Sequence, residues 1–295
     1  MRQILITGGT GQVGLELARL DWPADVEPHF PDRTLLDLND RASIAACFAQ
    51  RQWAAVINCA AYTAVDKAEG DVGAAFLANA QGPAWLADAT RTAGIPLIHV
   101  STDYVFDGRA DGFYEPDAPV APMGVYGASK LAGELAVRLG NPRSVVVRTA
   151  WVLSVHRANF LKTMLRLGAT NTELRVVVDQ QGCPTSAADL AAALQTITLR
   201  HLEDMTAPTG LYHFVNAGRT NWQDLACAIF AMSARTGGPF PTVTAITTAE
   251  YPTPARRPAN SALSTVTLER DFGITPRRWE AAVADIIAEL TDSSA

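Results

Sequence analysis

The sequence predicts an α/β fold, a doubly wound parallel sheet followed by a smaller C-terminal lobe. Three observations carry that expectation. Short apolar runs alternate with helical segments through the first half of the chain, a glycine-rich turn links the first run to the first helical segment, and the alternation loosens after Trp151. Strands and helices in alternation cover both faces of a parallel sheet, and such sheets bind ligands beyond the carboxyl ends of their strands.

Residues 3–7 form a short apolar strand that leads into Gly8-Gly9-Thr10-Gly11-Gln12-Val13-Gly14. Gly9, Gly11 and Gly14 satisfy G-x-G-x-x-G, and Gly8, Gly11 and Gly14 keep a three-residue spacing. Glycines there let the turn close and let backbone N–H groups approach a pyrophosphate at a helix N-terminus. The strand before the motif and the helical stripe of Val13, Leu17 and Leu20 after it supply the context it needs. Residues 26–30 form a second strand, and residues 41–50 a helix begun by Asn39 or Asp40 as cap. Residues 54–58 form a buried strand, and a long alanine-rich helical region covers 72–93, interrupted near Gly82-Pro83. Residues 96–101 are the next strand, then comes a helix carrying Tyr126 and Lys130, then a strand over 144–148. Thr7, Asn58, Ser101 and Arg148 stand at strand ends, where functional residues gather.

In the second half, residues 160–167, 187–200, 221–234 and 279–290 read as helices and residues 174–178 and 211–215 as strands, with a proline-rich loop over 251–258. The chain divides into a Rossmann-type dinucleotide-binding domain over residues 1–150 and a substrate-binding lobe over 151–295, interleaved with late elements of the sheet.

Composition bounds the function. Of 295 residues, 48% are hydrophobic and 18% charged, enough apolar surface for a large core. A formal net charge of −6 argues against nucleic acid or an anionic membrane as partner. Cys47, Cys59, Cys183 and Cys227 are scattered without metal spacing and read as thiols of a reducing compartment. With no signal peptide or long apolar span evident, a cytoplasmic location is expected.

Tyr126 and Lys130 are four residues apart, which stacks them one turn apart on one helix face. A phenol ordinarily holds its proton to a pKa near ~10. A neighbouring ammonium is expected to bring that value down toward the working range, making Tyr126 a usable acid or base.

Gly8 to Gly14, Asn58-Cys59-Ala60-Ala61, the run Ser101-Thr102-Asp103-Tyr104-Val105-Phe106, and Tyr126 to Lys130 together resemble the extended short-chain dehydrogenase/reductase superfamily. More narrowly, the chain resembles the dTDP-4-dehydrorhamnose reductase family. That likeness rests on Thr63 to Glu69, Ser101 to Gly108, Val125 to Glu134, Arg148 to Val152, Asn159-Phe160, Asp179 to Thr185, and Pro254 to Ser261. The resemblance implies hydride transfer from NAD(P)H to C4 of a 4-keto-6-deoxy sugar on thymidine diphosphate. Tyr126 would protonate O4 as general acid, and Lys130 would hold the nicotinamide ribose and assist Tyr126. Thr102 would bond the carbonyl oxygen, as serine does in many members; Ser101 is adjacent, but successive strand residues face opposite ways, so one of the two reaches the site. Asp103 and Trp151 would contact the sugar. Gly8, Gly11, Gln12, Val13, Gly14, Ala60, Ala61, Tyr62 and Thr63 would line the cofactor, with Asp37 and Leu38 on its adenine side, although Asp37 reads equally as part of a helix cap. Arg256 and Arg257 are either a diphosphate clamp or a solvated basic pair. His99, inside an apolar strand, is expected to be a core histidine.

Asp32 and Arg33 stand side by side where an acid would favour NADH and an arginine NADPH. The expectation is NADPH preferred and NADH also accepted. Some members of the family join subunits through Mg²⁺ held by glutamates. Glu16 and Glu289 match two of those positions, but Ala188 takes the third, so no bridging metal and a monomer or weak homodimer are expected. Ser154 stands where many members have glycine. Two alternatives remain beside the reductase: another extended-family epimerase or dehydratase, and a non-catalytic reductase-like regulatory subunit of methionine adenosyltransferase.

Overall fold

The computed structural model describes residues 1–292. Six parallel strands make the central sheet. β1 (Arg2–Thr7), β2 (Val26–His29), β3 (Ala55–Asn58), β4 (Leu97–Thr102) and β5 (Ser144–Thr149) are joined by a late strand, Gly210–His213. Their order across the sheet is Gly210–His213, β5, β4, β3, β1, β2. The order reverses at β1, where the chain first places β2 on one side and then crosses back to place β3 on the other, and a crevice opens at that switch point.

The strands sort their side chains with a period of two. Ile4, Ile6, Ile57, Val145 and Val147 face one layer, formed by α1 (Gln12–Arg19) and the long helix Ala187–Glu203. Leu5, Val56, Leu97 and Val146 face the other, where α2 (Arg41–Gln50) contributes Ile44 and Cys47. A sheet covered on both sides needs apolar residues at every position, which is why these strands read as unbroken apolar runs. Asp40, not Asn39, caps α2 by accepting the Ala42 N–H.

In the alanine-rich region, after α3 (Val65–Ala68), the chain is helical through α4 (Val72–Phe76), a π turn at Leu77–Gln81 and α5 (Gly82–Ala93). The chain stays helical through Gly82-Pro83, and the irregularity expected near them is the π turn that ends at Gln81, immediately before. The π turn buries the Asn79 side chain completely. Asn79 accepts the Tyr62 N–H at 2.7 Å and donates to the Tyr62 carbonyl and the Ser129 hydroxyl at 3.0 Å each. It thereby pins the loop after β3 to α6 (Val125–Gly140), the helix of Tyr126 and Lys130.

Past β5 a third core forms around Leu153, Leu161, Leu225, Ile229, Phe230 and Val283. Its strands are short: Val152–Leu153 pairs with Thr185–Ser186, Gln181–Gly182 with Thr220–Asn221, and Glu173–Val177 with Thr242–Ile246. No described helix is long and apolar enough to cross a membrane, and all four cysteines are free thiols.

Candidate active site

A cleft of about 1110 Å³ runs along the carboxyl edge of the sheet. At one end lies the glycine turn. Gly8 has φ +71, and a Cβ there would stand 2.7 Å from the Ala60 nitrogen, so β1 and β3 end in van der Waals contact only because Gly8 has no side chain. A Cβ on Gly14 would overlap the Gly8 carbonyl oxygen, so α1 starts tight against the turn and directs its free N–H groups into the cleft. Gly8, Gly11, Gln12, Val13, Gly14, Asp37, Leu38, Ala60, Ala61, Tyr62 and Thr63 all line this half.

Asp32 accepts from the Thr34 N–H at 2.9 Å, the Thr34 hydroxyl at 2.6 Å and the Leu35 N–H at 3.2 Å. The Thr34 hydroxyl, with these backbone donors, holds its carboxyl below the ordinary value. That carboxylate is occupied by its own turn. Arg33 is largely exposed, tethered to Asp37 at 3.4 Å. Asp37 also accepts the Asn39 N–H, a local turn bond separate from the α2 cap.

At the other end the reacting groups converge. Thr102, the last residue of β4, donates its hydroxyl to Asp103 at 2.9 Å and accepts the Tyr104 N–H. Ser101 faces away, its hydroxyl 2.5 Å from Glu134. Tyr126 packs edge-on against Tyr104 with ring centroids 5.4 Å apart. Its helix is started by Glu69, whose carboxylate accepts the Val125 N–H at 2.9 Å. Lys130 is buried, with Nζ 2.7 Å from the Val100 carbonyl.

The expected fall in the Tyr126 pKa is corrected. Burial pushes the phenol above its ordinary value; a hydrogen bond from Thr102 opposes this, and the Asp103 carboxylate adds to it. Lys130 exerts no resolved pull on Tyr126, and its own pKa falls to about 8 because burial outweighs the attraction of Glu134. Tyr126 therefore carries its proton at neutral pH, as a donor must, while burial makes it a weaker acid than a free phenol. Asp103 is also buried, which raises its carboxyl to about 6 against hydrogen bonds from Ser261 and Thr102, and its Oδ2 has no partner. His99 is a core histidine, its ring 2.9 Å from Asn58 and its pKa driven well down by burial.

Trp151 lines the cleft with φ +48 and stacks on Trp222, centroids 3.5 Å apart and planes 9° from parallel. Arg256 is exposed and Arg257 lies apart from the cleft lining. Arg257 pairs with Asp66 at 2.7 Å and donates to the Tyr104 hydroxyl at 3.2 Å, so it braces the wall behind Tyr126.

The family described as RmlD substrate binding domain matches residues 1–292. The dTDP-4-dehydrorhamnose reductase of Sinorhizobium fredii is 43% identical over 98% of this chain and 97% of its own length. The chain belongs to the dTDP-4-dehydrorhamnose reductase family. A solved structure of a dTDP-4-dehydrorhamnose reductase from Clostridium acetobutylicum superposes with a TM-score of 0.91 at 38% identity, covering 98% of this chain and 99% of that one. One from Bacillus anthracis, solved in complex with NADP, has a TM-score of 0.91 at 32% identity, covering 98% of this chain and 100% of that one.

Glu16 and Glu289, which match two of the positions where some members of this reductase family hold Mg²⁺, lie on either side of an arginine. Arg19 stands 3.4 Å from Glu16 and 2.8 Å from Glu289, a guanidinium linking the two carboxylates. Ser154 donates to Glu16 at 3.1 Å, which gives its hydroxyl a definite use. No group of three or more His, Cys, Asp or Glu among the described residues is placed to hold a metal ion. Sequence reasoning missed Trp222, Glu69, Asn79 and the buried Glu134–Arg148 pair. Glu69, Glu134 and Arg148 carried a signal, as end residues of the blocks Thr63 to Glu69, Val125 to Glu134 and Arg148 to Val152, whereas Trp222 and Asn79 carried none.

Proposed function

We propose that this chain reduces the C4 ketone of dTDP-4-dehydro-L-rhamnose to dTDP-L-rhamnose with NADPH. The observation that carries the reading is the convergence of Thr102, Tyr126 and Lys130 at one end of a cleft whose other end is the glycine turn. Reduced nicotinamide, when bound, supplies the hydride. Tyr126, kept protonated by burial, donates its proton to O4 as negative charge develops there. Thr102 binds the same oxygen, and Lys130 holds the ribose beside them. Asp103 and the Trp151–Trp222 stack offer the sugar a polar and a flat apolar surface. With Asp32 engaged by its own turn and Arg33 extended, a 2′-phosphate meets a cation rather than a free acid, which supports NADPH over NADH. Residues 1–150 carry the cofactor and the reacting groups, and residues 151–295 form the lobe that closes over the sugar side with Trp151 and Trp222. We infer a cytoplasmic monomer or weak homodimer.

Adding dTDP-4-dehydro-L-rhamnose to enzyme and NADPH should oxidise one NADPH per ketone. Turnover without net cofactor consumption would point to an epimerase or dehydratase, and no turnover to a regulatory subunit; either refutes the proposal. Tyr126→Phe should keep NADPH affinity and lose about 10²–10⁴ in kcat.

A further inference from the structure

Two non-glycine residues among those described have left-handed backbones, Trp151 and Arg157. Both line the cleft. Arg157, with φ +56, lies on the segment between Leu153 and the helix Phe160–Gly168, far from the glycine turn in sequence but against it in space. Its Nε donates to the Thr10 carbonyl at 2.7 Å. Two residues on, Asn159 donates to the Gln12 side chain at 2.9 Å, and three residues before, Ser154 donates to Glu16. Three side chains of one short segment thus grip the turn and the first helix.

The backbone at Arg157 is one that a Cβ makes unfavourable. Glycine would occupy it without strain, so an arginine there is explained by its side chain. That side chain is exposed, and apart from Nε its nitrogens make no hydrogen bond within the described residues. The cleft lining holds three cations: Arg33 on the adenine side, Lys130 at the reacting end, and Arg157 between them at the glycine turn. A dinucleotide lying along this cleft brings its diphosphate to the glycine turn. The backbone N–H groups there carry only partial charge, leaving two formal negative charges without a full counter-ion.

We propose that Arg157 is the counter-ion of the cofactor's diphosphate, reaching it from the substrate half of the chain through the unused arm of its guanidinium. This deepens the NADPH reading and rests on it. Nε keeps its bond to Thr10 while the terminal nitrogens face the phosphates, the fork geometry that suits arginine to this task. Because the same segment continues from Trp151, occupancy by the cofactor holds the sugar half in place against the cofactor half.

The test is binding rather than turnover. NADPH, adenosine 2′-monophosphate (which lacks the diphosphate) and thymidine diphosphate are titrated against wild type, Arg157→Gly and Arg157→Ala. Arg157→Gly takes the left-handed backbone without strain, so a folding defect does not obscure the result. The expected result is a Kd for NADPH about tenfold higher in both variants, with a shallower salt dependence. The Kd values for adenosine 2′-monophosphate and thymidine diphosphate should stay within twofold of wild type. An unchanged NADPH Kd overturns the inference, as does an equal loss for adenosine 2′-monophosphate. A loss confined to thymidine diphosphate assigns Arg157 to the sugar nucleotide and overturns it too. A wild-type protein that binds no NADPH overturns the cofactor reading itself.

Discussion

Replacing Lys130 with methionine should make the protein more stable while abolishing catalysis. Lys130 is 2% exposed, and burial lowers its pKa from 10.5 to about 8. Each unit corresponds to about 1.4 kcal/mol, so keeping the ammonium charged in the folded state costs roughly 3 kcal/mol at neutral pH. Methionine has similar length and no charge to desolvate. It leaves the Val100 carbonyl without its partner at 2.7 Å, a loss of about 1 kcal/mol. The net expectation is a gain of about 2 kcal/mol, a rise in Tm of roughly 3 °C for a chain of 295 residues. The pH dependence identifies the cause. Between the folded value near 8 and the unfolded value near 10.5, the unfolded chain binds the extra proton, so wild-type stability rises with pH across that window. The advantage of the variant is therefore full below pH 8, crosses zero between about pH 9 and 10, and reverses to roughly 1 kcal/mol in favour of wild type above about pH 10.5, where only the lost bond to Val100 remains. Urea unfolding at pH 7 and at pH 10 measures this. A variant less stable than wild type at pH 7, or a difference that does not change with pH, would refute the account of Lys130 as a destabilising group retained for function.

Asp103 offers the complementary case, because burial raises its pKa from 3.8 to about 6. Native protein binds the extra proton between those values, so wild type should lose roughly 3 kcal/mol relative to Asp103→Asn as pH rises from 4 to 7, read by urea unfolding at each pH. Arg148→Met should cost about 3–5 kcal/mol, since it strands the buried Glu134 carboxylate that Arg148 meets at 2.7 and 2.9 Å. Adding Glu134→Leu should recover most of that loss in a double-mutant cycle. Trp222→Ala should raise KM for the sugar nucleotide more than it lowers kcat, because it removes the platform beneath Trp151.

The sheet was legible because its central strands β3, β4 and β5 are buried on both faces, which leaves a continuous apolar run such as Val145 to Val147 in the sequence. The nucleotide half was legible because a close backbone approach requires glycine at defined positions, and Gly8 and Gly14 mark it. The reacting end was half legible. The spacing of Tyr126 and Lys130 announced a pair on one helix face, but not the burial that raises the phenol's pKa. What was hidden depends on distant chain segments meeting. Glu134 and Arg148 sit on different elements, Trp151 and Trp222 are brought together by two-residue strands too short to show a period, and Arg257 reaches Asp66 across 191 positions. The π turn at Leu77–Gln81 showed in the sequence only as the interruption expected near Gly82-Pro83, because the bonds that the buried Asn79 amide makes reach residues distant in the chain.

The late strand Gly210–His213 has a consequence for how the chain is made. It covers β5 residue for residue, from Val145 to Arg148. During synthesis the five earlier strands leave the ribosome first, while the strand that seals their open side is still untranslated. At about 5–20 residues per second that interval lasts on the order of several seconds. Throughout it the nascent protein displays an apolar, unpaired valine edge, the kind of surface that adds foreign strands. The interval in which β5 stands open to a foreign strand is therefore written into the order of the sheet, between the emergence of Thr149 and that of His213.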